Sequence, residues 1–129
     1  MKEMAGDNLL AVEVDAIRDD AVIVRLKGEI DISSAHLLTA QFSALAAETH
    51  PTVILDATEV SFMDSTGLHA LVEGKRALHD NGMRIFLVPS RQVRRVLELV
   101  FPDPLFAFRL ESVEEALAAL DRPNAVETR

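Results

Sequence analysis

The chain is 129 residues long, with 13 Lys+Arg against 21 Asp+Glu and a formal net charge of −8. At about 100–200 residues per domain this is one domain, and a chain of that length folds on its own apolar core without disulfides or structural metal. It has no cysteine, which removes thiolate catalysis, Cys-ligated zinc and iron–sulfur chemistry together, and its acidic balance argues against a nucleic-acid or anionic-membrane partner, either of which needs a Lys/Arg surface.

Apolar residues make up 49% and charged residues 26%, which places the chain among ordered globules and not among disordered ones. The first residues lack the apolar stretch of a secretory signal, and no apolar run is long enough to span a bilayer. A cytoplasmic protein is the expectation. Residues 1–8 and 122–129 are polar and are expected to be flexible tails around a domain spanning 9–121.

In chain order, Leu9 to Ile17 is crowded with apolar residues, Arg18-Asp19-Asp20 is a turn signal, and Ala21 to Leu26 is rich in β-branched residues. Together they predict a β-hairpin. Gly28 closes the second strand. Asp31, Ser33 and Ser34 offer N-caps for a helix with apolar positions Leu37, Leu38, Phe42, Leu45 and Ala46. Pro51 punctuates, and Val53-Ile54-Leu55 reads as a strand buried on both faces. A second helix follows the Asp64-Ser65-Thr66-Gly67 turn. Leu68, Leu71, Gly74 and Leu78 lie on one side of it, with His69, Glu73, Arg76 and Asp80 on the other, and Asn81-Gly82 ends it.

Ile85 to Val88 is another buried strand, ended by Pro89. Ser90 caps a third helix with Val93, Val96, Leu97 and Val100 inward, and Phe101-Pro102-Asp103-Pro104 breaks it. Phe106 to Leu110 suggests a last short strand. Ser112 and Glu115 form a capping box for a C-terminal helix through Val113, Ala116, Leu117 and Leu120. The predicted fold class is α/β: a single domain with a mixed, mostly parallel sheet, opened by a β-hairpin and covered by about four helices. Right-handed crossovers set the strands at 22–26 and 53–56 parallel and near each other. Their carboxyl ends carry the 28–34 and 58–67 loops, so two loops distant in sequence share one edge, where open α/β sheets favour functional sites.

Asp64-Ser65-Thr66-Gly67 is the most informative stretch. As a structural element it is a helix cap, with a close-packing glycine. As a functional one, it places the Ser65 hydroxyl where a phosphoryl group sits near the positive end of a helix dipole. An aspartic-protease reading fails on spacing, because an extra residue separates Asp64 from Thr66-Gly67. Gly28-Glu29-Ile30-Asp31, Leu55-Asp56 and Val60-Ser61-Phe62-Met63-Asp64-Ser65-Thr66-Gly67-Leu68 closely resemble the STAS domain of bacterial anti-sigma-factor antagonists, over roughly residues 9–121. The resemblance implies a STAS-like fold. It implies a regulator whose unphosphorylated form binds a serine-kinase anti-sigma factor and so frees a sigma factor. Ser65 matches the serine that the kinase phosphorylates, and Asp31 the acidic residue of the family's first loop. A separate serine phosphatase restores the active form. The kinase supplies ATP and Mg2+, so the chain needs no cofactor and is not an enzyme. Thr66 replaces a serine common in the family and keeps the hydroxyl, while Val100-Phe101-Pro102 replaces a frequent Gly-Leu pair.

The expected partner surface is Asp31, Asp64, Thr66 and Gly67, with an exposed strip of His69, Val72 and Arg76 running along the second helix from Ser65. The bland reading of that strip is a solvated face. Phe62 and Met63 are expected in the core beneath the turn. Asp31 with Asp64 makes a poor Mg2+ site without a nucleotide, and His36, His50, His69 and His79 show no zinc spacing. Arg91, Arg94 and Arg95 read as a solvated helix face. Two other functions stay open: a STAS binding module of a transport or lipid-trafficking system without a phosphoswitch, and a hydrolase using Ser65 and His69, which lacks a nucleophile-elbow motif and a third residue to orient the imidazole.

Overall fold

The computed structural model describes residues 2–4, 10–48, 52–100 and 112–120. The hairpin forms as expected. Strand β2 (Leu10–Arg18) pairs antiparallel with β3 (Ala21–Ile30) across the Asp19-Asp20 turn, where the Arg18 Nε–H donates to Asp20 Oδ1 at 2.6 Å. Residues 1–8 had been expected to be frayed, yet Lys2–Met4 forms a short strand, β1, antiparallel to the free edge of β2. The reason is generic: an unpaired strand edge offers backbone donors and acceptors to any extended segment beside it, whatever its side chains.

Helix α1 (Ala35–Ala46) crosses over to β4 (Thr52–Met63), which lies parallel to β3; helix α2 (Ser65–Asp80) leads to β5 (Arg84–Pro89), parallel to β4. Helices α3 (Arg91–Val100) and α4 (Val113–Ala119) complete the described elements. The expected strand over Phe106–Leu110 and the tail 122–129 lie outside the described residues. The sheet order is β1-β2-β3-β4-β5, so the expected α/β class, with a mixed sheet, an opening hairpin and four helices, holds. Strand β1 adds a second antiparallel pairing to balance the two parallel ones.

Two apolar cores follow from the alternation of side chains across the sheet. On one face Val12, Val22, Val24, Leu26, Val53, Leu55, Ile85 and Leu87 pack with α1 and α2, and Val93 and Leu97 of α3 join them. On the other, Ala21, Ile23, Ile54, Phe86 and Val88 pack with Ala116 and Ala119 of α4 and with Leu120, which caps its C-terminus. Val53, Ile54 and Leu55 are fully buried because both faces are covered. The two helices on the first face approach closely. A Cβ at Gly74 would stand 2.0 Å from Phe42 Cδ2, so Gly74 is what lets α2 lie against α1.

One expectation needs correction. The strands were expected to end near residues 26 and 56, leaving 58–67 as a loop. Instead β3 and β4 run on to Ile30 and Met63, and their register slips twice, between Arg25/Lys27 and between Gly28/Glu29. Gly28 sits at the second slip with φ 114°, a conformation other residues rarely adopt, and the Ser61 hydroxyl donates to its carbonyl at 3.2 Å. Bulges of this kind let a ladder absorb extra residues and re-aim the strand end.

Candidate functional site

The last rung of the β3–β4 ladder pairs Ile30 with Met63, so the two chain reversals start side by side. Asp64 joins them. Its backbone N–H donates to the Ile30 carbonyl at 3.2 Å. Its side chain is the N-cap of α2, Oδ1 accepting from the Gly67 N–H at 2.9 Å. The other oxygen, Oδ2, accepts from the Ile32 N–H at 3.3 Å, across 32 residues of sequence. One carboxylate thus satisfies an orphan donor of the helix and a donor of the facing loop, a charge-assisted pair of bonds.

Gly67 completes the junction. A Cβ there would lie 2.2 Å from the Ile30 carbonyl oxygen and 2.8 Å from Ile30 Cγ2, so the first turn of α2 rests directly on the end of β3. The predicted closeness of the two loops is therefore a backbone contact. Ser65 and Thr66, the first two residues of α2, are exposed beside it, with their hydroxyls at the positive end of the helix dipole.

The loop after β3 is held from within. Asp31 Oδ1 accepts from the Ser33 N–H at 3.0 Å and the Ser33 hydroxyl at 2.7 Å. Ser34, fully buried, donates its hydroxyl proton to the Glu29 carbonyl at 2.7 Å and accepts from the Asp31 N–H at 3.0 Å. Ser34 had been expected among the side-chain caps of α1; it stands at the N-cap position but makes no such bond, because its hydroxyl is committed to the strand end. The Ser33 hydroxyl holds the Asp31 carboxyl below its ordinary range, with the Ser33 and Ser34 bonds adding to it. A depressed carboxylate stabilises the fold above its unfolded pKa and loses that contribution as pH falls through the folded value. Asp31 is therefore an anion throughout the physiological range.

Of the expected partner surface, the structure gathers Asp31, Asp64, Ser65, Thr66 and Gly67 at one edge. His69 is exposed one turn further along α2. Arg76 lies on the same exposed side and pairs loosely with Glu73 at 4.0 Å, but it is 11 residues on, about 16 Å at 1.5 Å per residue. Val72 must be withdrawn from the strip. It is 5% exposed and belongs to the core, because the buried arc of α2 is wide enough to include Leu68, Leu71, Val72, Gly74, Lys75 and Leu78. Met63 is buried as expected; Phe62 is not, being 43% exposed. Among the described residues no group of three or more His, Asp or Glu is placed to hold a metal ion, and no helix is long and apolar enough to cross a membrane.

A family model described as STAS domain matches residues 12–117. The chain belongs to the STAS domain family. An anti-sigma F factor antagonist of Lysinibacillus sphaericus is 28% identical over 116 residues, covering 88% of this chain and 95% of that one. An anti-sigma factor antagonist from Mycobacterium paratuberculosis is similar in fold, with a TM-score of 0.77, 24% identity and coverage of 92% and 99% of the two chains. SpoIIAA of Bacillus is similar in two states. The unphosphorylated form matches at TM-score 0.68 and 26% identity, over 85% of this STAS chain and 96% of that one. The phosphorylated form matches at 0.65 and 25%, over 84% and 98%.

Sequence reasoning missed one residue at this edge. Ile32 is 78% exposed, and its backbone is the one that Asp64 holds. The available signal was a lone large aliphatic between Asp31 and Ser33, in a loop with no apolar periodicity to bury it.

Proposed function

We propose that this STAS domain is an anti-sigma factor antagonist controlled at Ser65. In its unphosphorylated form it binds a serine-kinase anti-sigma factor in the cytoplasm and frees a sigma factor. The kinase, using its own ATP and Mg2+, phosphorylates Ser65 and ends the interaction, and a serine phosphatase restores it. The domain contributes a surface and an acceptor hydroxyl, and no catalytic step. The observation that carries the reading is the placement of Ser65: an exposed hydroxyl on the first turn of α2, beside a junction rigid enough to keep it presented. The relatives named as antagonists, one of them known with and without phosphate, support it.

The chemistry is consistent with reversible modification. Phosphate adds about −1.5 to −2 charges at neutral pH, and a helix N-terminus accommodates an anion locally. Asp31, Asp64, Thr66, Gly67 and His69 surround the acceptor and form the contact edge in this reading; Arg76, farther along, is a peripheral contact. The test is incubation with candidate kinase anti-sigma factors and ATP, followed by intact mass and site mapping. One phosphate on Ser65 is the expected result. Phosphate on Thr66 instead, or none with any kinase that binds the domain, overturns it.

A further inference from the structure

We propose that Ile32 and Phe62 are the apolar anchors of the docking surface around Ser65, and that they seat in an apolar recess with a basic rim on the partner protein. This rests on the phosphoswitch reading and adds to it the source of the affinity. Single exposed apolar residues are ordinary; the position of these two is not. Ile32 follows the end of β3, with its N–H held by Asp64 Oδ2. Phe62 lies near the end of β4, opposite Glu29 in the ladder and two residues before Asp64. Both backbones are thus tied to the segment that starts the helix bearing Ser65, so docking has little left to order, which favours affinity.

The surroundings specify the partner. Asp31 flanks Ile32 in the chain and stays ionised through its bonds to Ser33, the Asp64 carboxylate accepts from the Ile32 N–H, and the chain carries a net charge of −8. A protein surface that covers Ile32 beside these carboxylates needs Lys or Arg around its recess. The switch then has a physical form. A phosphoserine at residue 65 deepens the negative rim and holds water beside the anchors, opposing the desolvation on which such contacts depend.

The test titrates the kinase that phosphorylates Ser65 against wild type, Ile32→Ser, Phe62→Ser, the double variant, Ile32→Leu and Phe62→Leu, at low and high salt. Each serine variant should weaken binding about tenfold or more, as loss of an interface anchor does. The double variant should be weaker still and the leucine variants close to wild type. Wild-type binding should fall as salt rises, and the melting temperature of Ile32→Ser should match wild type, since that side chain is exposed. Serine variants that bind within twofold of wild type, while Ser65→Asp still loses binding, overturn the anchors and leave the switch standing. Binding indifferent to salt overturns the basic rim. If Phe62→Ser melts early, Ile32→Ser decides alone. If no candidate kinase binds the wild type, the switch reading fails and the anchors fall with it.

Discussion

At Gly67 the requirement for glycine comes from contact and not from a special backbone angle. Its missing Cβ would stand 2.2 Å from a carbonyl oxygen, and that oxygen already accepts from the Asp64 N–H, so neither atom yields without moving a strand or a helix. Alanine gains about 1 kcal/mol over glycine inside a helix. Overpacking against fixed atoms typically costs about 1–3 kcal/mol, occasionally more. Against backbone atoms that cannot yield the clash wins, so Gly67→Ala should destabilise the domain by up to about 2 kcal/mol, read as a lower urea midpoint. Its effect on partner binding should exceed its effect on stability, because the displaced turn carries Ser65. Gly82→Ala is the informative contrast. There a Cβ meets nothing within 4 Å and only the positive φ of 85° opposes it, so the variant should lose about 1 kcal/mol of stability and keep wild-type binding. Equal binding losses for the two variants would count against a positional role for Gly67.

The helices and strands differ in how far their residues announced them. The capping serines of α3 and α4 were readable because each accepts a bond from the N–H three residues on, Ser90 from Val93 at 3.1 Å and Ser112 from Glu115 at 3.1 Å. The central strands were readable where both faces are covered, as at Val53–Leu55 and Ile85–Val88. The extension of β4 through Thr58 and Glu59 was not, because those side chains face water and the ladder to β3 is carried by backbone bonds across two bulges. Val72 misled for a related reason: a helical strip is defined by angle, and how much of α2 is covered depends on α1, which no local pattern reveals. Phe62 misled because an apolar side chain beside a turn reads as core, and Ile32 was passed over because no periodic pattern marks it. The geometry of β5 also yields a prediction for α3. Ala57 pairs with Pro89, and Met63 lies 63 − 57 = 6 residues beyond it on β4, about 20 Å of strand. Helix α3 therefore starts well short of the edge that carries Ser65. Arg94→Ala and Arg95→Ala should each change kinase binding by less than twofold, measured by titration. A tenfold loss, about 1.4 kcal/mol, would place the interface lower on the molecule than the Ser65 edge.

For the molecule as a whole, the proposed phosphorylation of Ser65 has two possible modes of action, refolding the domain or blocking its surface. The fold is held by two cores on opposite faces of one sheet, and Ser65 belongs to neither. Its hydroxyl lies on the exposed first turn of α2. There the helix dipole offsets added negative charge by about 0.3–1 kcal/mol, while the nearby carboxylates of Asp31 and Asp64 oppose it through water. These effects are similar in size and opposite in sign, so the net change in stability should be small. Docking is less forgiving. A phosphate covered by a partner shaped for a hydroxyl must shed its water, and a buried charge without a counter-charge costs about 3–5 kcal/mol. Ser65→Asp should accordingly leave circular dichroism and melting temperature near wild type while weakening kinase binding at least tenfold. Ser65→Ala should bind and resist the switch, because it has no oxygen to modify. A surface block is untenable if Ser65→Asp unfolds the domain. It is equally untenable if both the aspartate variant and authentic phosphoserine bind the kinase as tightly as the unmodified protein, for then the charge at the end of α2 controls nothing.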